Sequence, residues 1–65
     1  MNWNIKERSE ELSGLVLKAE NLMEELIQFK RKESDYNNVE DLDYAESNLD
    51  ECITSLNNHY YEYLK

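Results

Sequence analysis

The sequence predicts an all-α protein, an antiparallel two-helix hairpin that pairs into a dimeric four-helix bundle. Three observations carry this. Glycine occurs once, at Gly14, and proline not at all, so the 65-residue chain is nearly without the residues that punctuate β-hairpins. Apolar residues recur at alternating steps of three and four over residues 5–33 and again over 39–64, the pattern of helices with one apolar face. Between these stretches stand Ser34, Asp35, Tyr36, Asn37 and Asn38, mostly side chains that hydrogen-bond their own backbone in turns. Residues 1–65 form a single domain on this reading.

The first helix is expected to start at Asn4, which with Glu7 three residues later fits a capping box. Its seam reads Ile5, Arg8, Leu12, Leu15, Ala19, Leu22, Leu26 and Phe29, with Val16 and Met23 on one flank. Leu17 and Ile27 fall off that seam. Gly14 lies on the outer face, where it costs about 1 kcal/mol relative to alanine, and Ser13-Gly14 marks the one place where the helix would break. Lys30, Arg31 and Lys32 suit the negative end of the helix dipole.

The second helix is expected to be capped by Asn37 with Glu40, or by Asn38 with Asp41. Its seam reads Leu42, Ala45, Leu49, Cys52, Leu56, His59 and Tyr63, widened by Ile53 and Tyr60. Folding the helices back on one another places Phe29 near Leu42, Leu22 near Leu49, Leu15 near Leu56 and Arg8 near Tyr63. Trp3, Arg8, His59, Tyr60, Tyr61 and Tyr63 then meet at the open end. A single pair of helices hides one line of each stripe. Val16, Met23, Ile53 and Tyr60 would stay partly wet, and a second hairpin in a two-fold bundle would cover them.

Size and charge narrow the function classes. A chain this short buries roughly 60% of its unfolded surface, so a lone domain has a thin core. One cysteine closes no intramolecular disulfide, and one histidine with one cysteine makes no zinc site. The lone thiol and the lack of a signal peptide point to the cytoplasm. The longest apolar run, Leu15-Val16-Leu17, falls far short of the roughly 20 residues of a membrane span. Residues 1–33 carry six basic and seven acidic side chains, whereas residues 34–65 carry eight acids and only Lys65. That places −7 of the net −8 in the second half. Such a surface repels nucleic acid and anionic lipid and calls for a basic partner.

Chemistry of its own is not expected. His59 has no nucleophile or pocket, and Cys52 at mid-seam reads as a small apolar residue. A di-iron bundle needs inward glutamates with Glu-x-x-His spacing, but the order here is His59-x-x-Glu62. A calcium loop needs a glycine that Asp35 to Asp43 lacks. No metal, cofactor or catalytic residue is assigned, and the chain is expected not to be an enzyme.

The sharpest feature is the outward face of the second helix, with Glu40, Asp41, Asp43, Tyr44, Glu46, Asp50 and Glu51 as candidate binding residues. Carboxylates spaced along a rod about 10–12 Å thick imitate a line of phosphates. The expected function is therefore occlusion of a basic, nucleic-acid-binding surface on another protein, in the manner of small inhibitors carried by phages or mobile elements. A competing expectation is an adaptor or assembly subunit that docks through Val16, Met23, Ile53 and Tyr60, with Trp3 and Tyr61 as aromatic anchors.

Leu42 to Ile53 reads LDYAESNLDECI. This stretch resembles the second helix of the Spo0E-type aspartyl-phosphate phosphatases, small helical hairpins with a Ser-Gln-Glu-Leu-Asp motif. Leu49-Asp50 matches the Leu-Asp and Ile53 a following apolar position. Glu46-Ser47-Asn48 stands where the family's polar trio would be. The resemblance implies action on a response regulator, and no catalytic residue carries over.

Overall fold

A computed structural model describes residues 4–64. They form two helices, α1 (Ile5–Glu33) and α2 (Glu40–Glu62), packed antiparallel. Among the described residues there is no strand. The molecule is a rod of 49 × 19 × 14 Å, the shape imposed by 29 helical residues rising about 1.5 Å each.

Asn4 caps α1 in extended backbone (φ −76°, ψ 167°), its Oδ1 accepting the Glu7 amide hydrogen bond at 2.8 Å. The helix runs unbroken past Ser13-Gly14. Gly14 has no positive φ, and an added Cβ there would meet nothing within 4 Å. At the far end the Ser34 amide donates to the Lys30 carbonyl at 2.9 Å and the Asp35 amide to the Lys32 carbonyl at 3.3 Å, while Ser34 Oγ donates to the Arg31 carbonyl at 2.7 Å. The Asn37 side chain returns to Glu33 Oε1 at 2.7 Å, and its amide returns to the Glu33 carbonyl at 2.9 Å. No described residue takes a positive φ, so this turn closes without glycine. Val39 is the N-cap of α2 and makes no side-chain cap. Asn38 Oδ1 instead accepts from the Glu40 amide at 2.7 Å, one residue ahead of the expected partner.

The seam is not the one that periodicity favours. On α1 the residues turned toward α2 are Ser9, Leu12, Val16, Ala19, Met23, Leu26, Lys30 and Glu33. On α2 they are Val39, Leu42, Glu46, Leu49, Ile53, Leu56, Tyr60 and Tyr63. Every second contact position has therefore moved by one residue. Val16, Met23, Ile53 and Tyr60, expected as a wet flank, form the seam itself. Leu15, Leu22 and Phe29, expected inside, are 47%, 53% and 51% exposed, and Ala45, Cys52 and His59 are exposed with them.

The physical reasons are side-chain volume on α2 and one charge on α1, where the rotation leaves the larger Leu15, Leu22 and Phe29 outside. Ile53 and Tyr60 fill an interhelical gap better than Cys52 and His59 do. The rotation also carries Lys30 over two carboxylates of α2. The cost is a thin core: among the described residues only Leu12 and Val16, each 8% exposed, are buried.

Gly14→Ala is expected to stabilise the helix by about 1 kcal/mol, raising Tm by about 4–8 °C. Leu12→Ala should cost about 2–3 kcal/mol, whereas Leu17→Ala on the exposed outer face should stay within about 0.5 kcal/mol. Urea unfolding followed by circular dichroism checks all three.

Candidate functional site: the anionic face of α2

The acidic residues of α2 divide into two groups. Glu46 occupies a seam position and points toward α1 rather than outward. There Lys30 Nζ donates to Glu46 Oε2 at 2.6 Å and to Asp43 Oδ1 at 2.8 Å. Hydrogen bonds to Asp43 and Glu46 hold the Lys30 ammonium above its ordinary pKa of 10.5, assisted by their charges and opposed by partial desolvation. The placement of Glu46 in an outward anionic strip is therefore corrected. Its charge is spent on Lys30, and Asp43 is shared between that lysine and solvent.

Glu40, Asp41, Asp50 and Glu51 are exposed, and among the described residues no cation lies within ion-pair distance of them. At 100° per residue, Glu40, Tyr44 and Glu51 project from the side of α2 opposite the seam. Asp43 and Asp50 stand on the edge shared with α1. With Met23, Ile27, Glu46 and Ser47 they line an open groove of about 450 Å³. Tyr44 is exposed amid this group, as is Tyr36 in the turn.

The aromatic end assembles in part as expected. Arg8 Cζ lies 5.7 Å from the Tyr63 ring centroid, within cation–π range. Tyr63 and His59 meet edge to face at 5.3 Å, and Tyr63 Oη shares a hydrogen bond with His59 Nε2 at 3.2 Å. Tyr60 belongs to the seam, Tyr61 is exposed, and Trp3 lies outside the described residues. In the phosphatase-like segment, Leu49 is half-buried in the seam and Asp50 is exposed.

Among the described residues no group of three or more His, Cys, Asp or Glu side chains is placed to hold a metal ion. None of the described helices is long and apolar enough to cross a membrane. No family model, curated protein or solved structure matches the chain.

Lys30 was legible only as a helix-end cation. The signal for more was its seven-residue spacing from Met23 and Val16, which placed a charge on the same helical line. A raised lysine pKa stabilises the fold fully below pH 10.5 and ceases to do so as pH rises through the raised value. The stability gap between the native chain and Lys30→Gln should therefore hold at pH 9 and be narrower at pH 11, above the ordinary value of 10.5. Paired urea titrations at the two pH values check this, since tyrosine ionisation is common to both proteins.

Proposed function

We propose that this hairpin is a non-enzymatic binding protein that occludes a basic, nucleic-acid-binding surface on another protein with the outer face of α2. One observation carries the reading: Glu40, Asp41, Asp50 and Glu51 are exposed and have no ion-pair partner among the described residues, while Lys30 is consumed inside the hairpin. Asp43, half-shared with Lys30, extends the anionic area toward the groove. Exposed Tyr44 supplies an apolar body with a polar tip, a favoured anchor at interfaces. A partner of opposite sign is drawn in by the long-range field of a chain carrying −8, and direct binding to nucleic acid is opposed by the same field. The working unit on this reading is a homodimer, which covers the apolar side of the rod and leaves the anionic side open.

Charge reversal tests the proposal. Asp50→Lys combined with Glu51→Lys should abolish capture of basic nucleic-acid-binding proteins from a nuclease-treated extract at low salt, with helicity unchanged by circular dichroism. Material captured by the native chain should be released by salt and displaced by added DNA, because both compete for one basic surface. Capture that ignores the double reversal and the DNA would refute the reading.

A further inference from the structure

We infer that a second copy of this chain docks on the exposed stripe formed by Leu15, Leu22 and Phe29 of α1 and Ala45 and Cys52 of α2, about a two-fold axis at the height of Leu22. The inference deepens the dimer part of the proposed function and says nothing about the basic partner.

The first support is area. The chain exposes 5397 Å², whereas a compact monomer of 7.8 kDa exposes about 4,400 Å². The surplus is comparable to the roughly 800 Å² that each partner contributes to a stable interface. Ile5, Leu17 and Leu64 are exposed singly, but three other large apolar residues of α1 fall in one line. Leu15, Leu22 and Phe29 repeat every seven residues beside the α1 seam, and Ala45, Cys52 and His59 repeat every seven beside the α2 seam. The opposite long edge is mixed: Asp43, Glu46 and Asp50 share one groove there with Met23 and Ile27, and Ser13 and Asn57 share the other with Val16 and Tyr60. The carboxylates therefore stand on the groove edge, and the leucine stripe carries none.

The second support is charge. Next to the leucine stripe α1 carries Glu11, Lys18, Glu25 and Lys32, alternating in sign at seven-residue steps, all exposed and none ion-paired within the hairpin among the described residues. An antiparallel copy of α1 related by a two-fold at Leu22 sets Lys18 opposite Glu25 and Glu11 opposite Lys32. Leu15 then meets Phe29, and Leu22 meets its own image. The pattern is complementary to itself, as an isologous contact requires. On α2 the same operation pairs Ala45 with His59 and Cys52 with its image. It also brings Asp41 toward Glu62 at the outer rim, a like-charge approach screened by solvent.

The third support is that one axis serves both helices. From the Lys30–Asp43 pair, eight residues back along α1 reach Leu22, and eight forward along α2 reach Glu51, next to Cys52. The two centres of symmetry thus lie at one height to within about a residue, or 1.5 Å. All neighbouring helices in the resulting four-helix bundle run antiparallel, and the outer face of α2 stays open.

Sedimentation equilibrium of the full chain, with the charge variants, is the test. The native chain should be a dimer, and mild diamide oxidation should convert it to a Cys52–Cys52 disulfide dimer on a non-reducing gel. Lys18→Glu should weaken the dimer about fivefold, since two solvent-exposed pairs turn repulsive. Lys18→Glu with Glu25→Lys should restore it, which a merely structural effect on one helix would not do. Leu22→Glu should give a helical monomer. A monomeric native chain would overturn both this inference and the dimer in the proposed function. A dimer that forms no Cys52 disulfide and ignores the charge swap would overturn this face and axis alone.

Discussion

Two helices share one seam, and an apolar side chain that does not enter it must face outward. In this chain each helix has more apolar lines than a seam admits. Leu12, Ala19 and Leu26 of α1, with Leu42, Leu49, Leu56 and Tyr63 of α2, belong to either candidate line. The intervening positions decide the rotation. Val16 and Met23 against Ile53 and Tyr60 win the interior, and Leu15, Leu22 and Phe29 are left outside. The apolar side of the rod is a direct consequence of that choice.

The same rotation settles the electrostatics. It places Lys30 at the turn end of the seam, where it bridges Asp43 and Glu46 and ties α1 to α2 just beyond the loop. A charged residue in an otherwise apolar line is tolerated because its ammonium has two carboxylate partners and remains 21% exposed to water. The pairing also trims the anionic surface. Glu46 turns inward, Glu40 and Glu51 remain at the outer pole of α2 with Tyr44, and Asp50 stands with Asp43 on the groove edge.

The consequence is a rod with separated long faces and very little interior. Two buried side chains among the described residues make a poor core, so cross-helix packing, the Lys30 bridge and the Arg8–Tyr63 stack share the work of holding the pair. Covering the leucine stripe with a second hairpin would supply the missing interior and leave Glu40, Tyr44 and Glu51 open, with Asp41 at the rim. Assembly and recognition would then centre on different faces, which is what a small binding protein needs if it is to do both at once.

Helix content, the site of the turn and the excess of acid after Glu33 were legible from residue order, because periodicity, capping side chains and composition act over a few neighbouring positions. The Asn4 cap and the Arg8–Tyr63 contact were legible for the same reason, the second because a tight turn leaves little freedom in register. Which line of each helix faces inward was not legible. It depends on how volumes fit across the gap, Ile53 and Tyr60 against Val16 and Met23, and on whether Lys30 meets a carboxylate, and these are relations between residues far apart in the chain. Only the packed pair decides them, and with them which acids stay free and which leucines stay wet.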